Sequence, residues 1–126
     1  MSQIPDPRVF FAAERTLLAW VRTCLAVMGL GFVVARFGFF LRLVAHSTDE
    51  TQRHHLESEI IGVLLVFLGS AALGLAACQH ARYCRSLPPL ERPRLYWGGW
   101  SVGFASILAA SGVLLAVYLL VRTATY

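Results

Sequence analysis

The stretch "DPRVFFAAERTLLAWVRTCLAVMGLGFVVARFG", Asp6–Gly38, decides the fold. Most of it is apolar enough to dissolve in lipid, yet it carries Arg8, Arg15, Arg22 and Arg36. These arginines are separated by seven, seven and fourteen residues, with Gly29 in the vacant position. On an α-helix such a spacing lays the side chains along one slowly drifting stripe. At ~1.5 Å of rise per residue, Arg15 and Arg36 stand about 31 Å apart, nearly the thickness of a ~30 Å hydrocarbon layer. These two therefore reach opposite interfaces. Arg22 then lies roughly 10 Å inside, where a charge costs up to ~2.5–3.5 kcal/mol.

The rest of the chain reads the same way. Of 126 residues, 57% are hydrophobic and 14% charged, with a mean hydropathy of +0.63. That is too oily for a soluble domain of this size. Ile60–Gln79 and Leu95–Val121 contain no charged residue, and each is long enough to cross a bilayer as a helix. The expectation is an all-α integral membrane protein. Its three transmembrane helices, at about 17–41, 60–81 and 96–121, form one small bundle that fills a single domain, 1–126. The first span outlasts the core of a cleaved signal peptide and is expected to be retained.

Loop charges set the expected topology. Arg8 and Arg15 precede or open the first span, and "HARYCRSLPPLERPRL" carries Arg82, Arg85, Arg92 and Arg94 against Glu91. "AHSTDETQRHHLESE" carries Asp49, Glu50, Glu57 and Glu59 against Arg53. Basic segments favour the cytoplasm, so the N-terminus is expected inside and the C-terminus outside. Aromatic anchors agree: Phe10, Phe11 and Trp20 flank the inner end of span one, and Tyr96, Trp97 and Trp100 that of span three. Pro88, Pro89 and Pro93 make "SLPPLERPRL" a stiff linker. The net charge of +4 follows from this topology and implies no nucleic-acid partner.

The apolar spans offer Arg22 no acid. Its counter-charge is therefore expected outside the chain: a lipid phosphate, a passing anion, or hydrated space between subunits. The planar guanidinium fork suits phosphate. The blander reading is that arginines near helix ends snorkel and fix depth. All eleven basic residues are arginine, which a GC-biased genome explains better than phosphate preference does. The candidate anion-binding set is Arg8, Arg15, Arg22, Arg82, Arg85 and Arg94.

Small residues mark packing faces, because lipid removes the hydrophobic drive between helices and favours close approach. Gly99 and Gly103 stand in GxxxG spacing on span three, and Gly69 belongs to a run of small residues on span two. Cys24, Cys78 and Cys84 have no C-x-x-C spacing and read as buried filler. His54 and His55 with Glu57 and Glu59 are too awkwardly disposed on a helix for a metal site. Ser70, Ser101, Ser106 and Ser111 are expected to bond helical carbonyls, with no acid or base placed to activate one. No catalytic residue, metal or cofactor is expected.

"ERT-LAW-RT-LA", followed by "G" and "RFG", is carried here by Glu14, Arg15, Thr16, Leu18, Ala19, Trp20, Arg22, Thr23, Leu25, Ala26, Arg36, Phe37 and Gly38. This core closely resembles the signature of the YidH-like family, small bacterial inner-membrane proteins classified as domain of unknown function 202. The resemblance implies a multi-pass bacterial inner-membrane protein. The same family takes in the membrane domain of the eukaryotic vacuolar transporter chaperone complex. In that complex five three-span domains surround a path through which polyphosphate moves. What this implies here is a homo-oligomer, pentameric by that analogy, with path-facing roles at Arg8 and Arg15, at Arg82 or Arg85, and at Arg94. Arg22 departs from the eukaryotic pattern and fits the bacterial one. No catalytic or phosphate-sensing domain is expected within these residues.

Two functions follow. In the first, the arginine stripe of the first helix binds or conducts a phosphate-bearing polyanion such as polyphosphate, an inorganic anion or an anionic lipid. In the second, the chain is a structural or accessory subunit that stabilises or recruits a partner membrane protein, its arginines contacting headgroups.

Overall fold

In hydrocarbon every backbone N–H and C=O must be satisfied within the protein, so an apolar segment of this length folds as a helix. The computed structural model describes residues 8–44, 50–88 and 99–125, apart from the side chains at 38, 39, 41, 42 and 50–56. It contains α1 (Arg8–Val44), α2 (Glu50–Ser86) and α3 (Gly99–Ala124), with no strand among the described residues. Each helix holds a stretch long and apolar enough to cross a membrane: Arg8–Phe37, Glu57–Ser86 and Gly99–Ala124.

α1 and α2 extend beyond the expected spans, while α3 has the expected length and ends three residues later. From Arg8 to Leu87 no proline interrupts the chain, and helix formation adds one hydrogen bond for each residue fixed. α1 therefore starts at Arg8, and α2 absorbs most of the acidic segment expected to be a loop. α2 also continues through Arg82 and Arg85. It stops at Ser86, before the Pro88 and Pro89 that disfavour further helix. Arg85 in its last turn complements the negative end of the helix dipole.

Packing follows a seven-residue rule in all three helices. On α1 the buried positions are Phe10, Glu14, Leu17, Val21, Cys24, Met28, Gly31 and Ala35, alternating steps of four and three. On α2 they include Val63, Val66, Ser70, Leu73, Ala77 and His80, and on α3 Ala105, Ala109, Gly112, Ala116 and Leu119. Alternation of three and four keeps one seam facing a neighbour along the helix, the repeat of left-handed helix packing. α2 is central and packs along both others, while α1 and α3 meet more sparingly. The outward positions expose Leu18, Leu25, Phe37, Leu64, Leu68, Ile107, Leu114 and Leu120, a surface suited to acyl chains. Phe10 is 5% exposed and belongs to the seam. It is a core residue rather than the interface anchor expected from its place near the span end.

Residue size is graded along the α1–α2 contact. At seven-residue spacing α1 carries Phe10, Leu17, Cys24 and Gly31, and α2 carries Tyr83, Ala76, Gly69 and Gly62; of these, Gly31 packs on Gly62 and Gly69 on Cys24. At the glycine end the backbones nearly touch. A Cβ built on Gly31 would sit 2.7 Å from the Gly62 carbonyl oxygen, and one on Gly62 would sit 2.5 Å from the Ala35 nitrogen. Toward the other end the residues at this spacing are larger, and a groove of about 480 Å³ lies between the two helices. The pair is a wedge.

Polar contacts join the helices as well. The Ser70 hydroxyl donates to the Ala109 carbonyl oxygen at 2.5 Å, from α2 to α3, and Ser70 is 1% exposed. Ser70→Ala should lower bundle stability by about 0.6–1.7 kcal/mol, the range for interhelical bonds in membranes, read in a denaturation titration of the micelle-solubilised protein.

Candidate functional site

The seven-residue seam decides where the arginines point. Arg15 and Arg22 each follow a residue of that seam, Glu14 and Val21, and Arg8 stands seven residues before Arg15 at the same helical position. One step further round an α-helix is about 100°, so all three are turned off the core face, and all three are exposed. The heptad that buries one line of side chains thus exports the arginine line to the bundle's outside. Arg15 and Arg22 make no hydrogen bond or ion pair with any described residue, and neither does exposed Arg82. Arg36, half-buried, holds its guanidinium carbon 6.0 Å from the Phe32 ring centroid, a cation–π contact. Arg85 is exposed on the last turn of α2. Arg94 lies outside the described residues, as do the side chains of His54 and His55.

The acid nearest the stripe in sequence is already engaged. Glu14 is 6% exposed and faces inward. Its Oε1 accepts a 2.7 Å hydrogen bond from the Ser101 hydroxyl of α3. The same oxygen lies 3.5 Å from His80 Nε2 of α2. His80, 7% exposed, also places Nε2 3.4 Å from the Cys84 sulfur. All three helices therefore meet at one polar cluster near the arginine-bearing end of α1. Both contacts of the imidazole fall on a single nitrogen. A nucleophile–base–acid array instead turns one ring nitrogen to each partner. What the cluster does is bind helices to one another and withhold Glu14 from the neighbouring guanidiniums.

This cluster escaped the sequence reading, and it corrects one expectation. Ser106 and Ser111 donate to the Val102 and Leu108 carbonyls, at 2.8 Å each, and Ser70 bonds a carbonyl across helices. Ser101, by contrast, bonds a carboxylate. The available signal was the spacing of Glu14: four residues after Phe10 and three before Leu17, an acid stands in an otherwise apolar seam.

The small residues also divide. Gly69 packs on α1, where an added Cβ would lie 2.8 Å from Met28 Cγ. Gly112 of α3 likewise abuts Met28 and Ser70. Gly99 and Gly103 have no atom within 4 Å of the position a Cβ would take, so no described residue packs on these two positions. Cys24 is buried and Cys84 intermediate, but Cys78 is exposed and is not the buried filler expected. Among the described residues no three His, Cys, Asp or Glu side chains are grouped to hold a metal ion.

The sequence profile described as Domain of unknown function (DUF202) matches residues 8–86, well over half of the chain. No curated protein matches, and no solved structure does. The chain belongs to the DUF202 family, as a small helical membrane protein with three candidate spans.

Proposed function

We propose that this member of the DUF202 family is the subunit of a membrane homo-oligomer whose α1 arginine stripe binds, and in the assembled state conducts, a phosphate-bearing polyanion of the polyphosphate kind. The role is non-catalytic. One observation carries it: Arg15 and Arg22 project from the bundle with no partner among the described residues, while the adjacent acid, Glu14, is turned inward and engaged. A guanidinium at that depth needs a counter-charge, and its fork matches phosphate oxygens. Copies arranged with α1 toward a common axis would stack these arginines into rings, the usual lining of anion pores. Arg8 extends the stripe toward the membrane surface, and Arg82 and Arg85 add positive charge on the same end of α2. The resemblance supports a bacterial inner-membrane location with the arginine-rich end in the cytoplasm.

The test is binding and flux in liposomes containing the purified protein. Arg15→Gln together with Arg22→Gln should cut polyphosphate binding or anion flux at least tenfold, equivalent to ~1.4 kcal/mol, with helicity unchanged. Flux or binding indifferent to the double substitution would defeat the reading.

A second reading, a structural or accessory subunit, draws on the bare Gly99–Gly103 face. A small-residue surface with no described residue packed on it fits a helix from a partner protein. Cross-linking from this face in native membranes separates the two: a different protein supports the accessory role, and a second copy of this chain supports the oligomer.

A further inference from the structure

The groove at the open end of the α1–α2 wedge has no place in the arginine reading. It is lined on α1 from Val9 to Trp20 and on α2 from Ala76 to Tyr83. Its lining residues on α1, among them Ala13, Thr16 and Trp20, occupy other heptad positions than Arg8, Arg15 and Arg22. The groove and the stripe are separate flanks of one helix.

Its dimensions restrict the occupant. Val9 to Trp20 is about 17 Å along a helix at ~1.5 Å per residue, roughly half of a ~30 Å hydrocarbon layer. The groove is about as long as the hydrocarbon of one leaflet is thick. At its inner end it is closed by the tight approach of Gly69 to Cys24 and Met28. A volume of about 480 Å³ spread over ~17 Å is on the order of 6 Å across. A second helix, ~10–12 Å wide with its side chains, is too wide to enter as a whole. A hydrocarbon chain, whose carbons contact their neighbours at ~4 Å, does.

Its chemistry is amphiphilic. Ala12, Ala13, Leu17 and Ala76 supply an apolar floor. Around it stand the Trp20 indole N–H, the Gln79 amide and the Tyr83 hydroxyl, none with a side-chain hydrogen bond to a described residue. Donors at this depth need acceptors, since water is scarce there. In the layer where a bilayer passes from headgroup to acyl chain, the acceptors are ester carbonyls and phosphodiester oxygens. Arg82, exposed and without a described partner, adjoins Tyr83 in sequence and adds a cation near the mouth.

We propose that this wedge is a binding site for one membrane phospholipid, with an acyl chain lying between α1 and α2 toward Trp20 and the glycerol–phosphate region held by Gln79, Tyr83 and Arg82. The lipid comes from the leaflet at the arginine-bearing end of α1. It fills the space that the graded side chains leave, so the open wedge is a liganded form rather than a packing fault.

The test is native mass spectrometry of the full chain, extracted in mild detergent and washed with lipid-free detergent. The wild type should retain one phospholipid per chain. Ala13→Leu with Ala76→Leu puts side-chain volume into the groove and should reduce occupancy at least tenfold, with helicity by circular dichroism unchanged. Should that variant not fold, Gln79→Leu with Tyr83→Phe removes two donors without filling the wedge and should show the same loss. Arg15→Gln with Arg22→Gln should keep the lipid, so this site and the anion stripe fail or stand separately. Three results overturn the proposal: a wild type that carries no phospholipid, groove variants that keep it, or a cysteine at Thr16 cross-linking to a second protein chain across the groove.

Discussion

Glu14→Ala is expected to lower bundle stability by about 2–4 kcal/mol, the largest effect of any single truncation near the arginine stripe. The carboxylate is 6% exposed and is the acceptor at the junction of α1, α2 and α3. Its loss strands the Ser101 hydroxyl and removes the acceptor beside His80. Leaving a buried polar group without its partner costs ~1–3 kcal/mol for each group in water-soluble proteins. Membrane interhelical bonds average ~0.6 kcal/mol, so the sum lies between. Glu14→Gln keeps an oxygen for Ser101 and loses only the charge, and about 1 kcal/mol is expected. Unfolding of the solubilised protein by detergent titration reads both. A Glu14→Ala protein as stable as wild type would show that the three helices hold without the cluster. The same substitution separates stability from anion binding: the arginines remain, and any loss of flux would then come from α1 being held less firmly.

The second large effect is expected at the opposite end of the wedge. Gly62→Ala puts a methyl group 2.5 Å from both the Gly31 carbonyl oxygen and the Ala35 nitrogen, and 2.6 Å from Ala35 Cβ. Backbone atoms do not yield as a flexible side chain does. The helices must separate, and overpacking of this kind costs ~1–3 kcal/mol, occasionally more. We expect about 2–3 kcal/mol, measured as for Glu14. Gly103→Ala is the matched control. Open space surrounds that position within the subunit, so the isolated chain should be unaffected to within ~0.5 kcal/mol. A drop confined to an assembled form would place Gly103 in a contact between chains. Equal effects at Gly62 and Gly103 would contradict the wedge.

Much of this was legible in the residues. Uncharged runs near Ile60–Gln79 and Leu95–Val121 require helices in lipid, whatever the partner. The seven-residue spacing of Arg8, Arg15 and Arg22 required a common stripe. Less legible was the outward direction of that stripe, because spacing among arginines says nothing of where the seam lies. The seam becomes visible only when Phe10, Glu14, Leu17 and Val21 are seen buried together. Ser101 was misread for a related reason: its partner stands 87 positions away, and no local pattern joins them. GxxxG at Gly99 was read as a packing face, yet the small residues used inside the subunit are Gly31, Gly62, Gly69 and Gly112.

The sequence by itself determined the class of solvent, the number of helices and the line on which the arginines fall. Each of these depends on hydropathy or on the period of one helix, and both are properties of neighbours in the chain. Tertiary structure alone decided that Glu14 turns in while Arg15 turns out, that glycines close one end of α1 and α2, and that a groove opens at the other. These depend on the register in which helices are laid together, a quantity that no single helix carries.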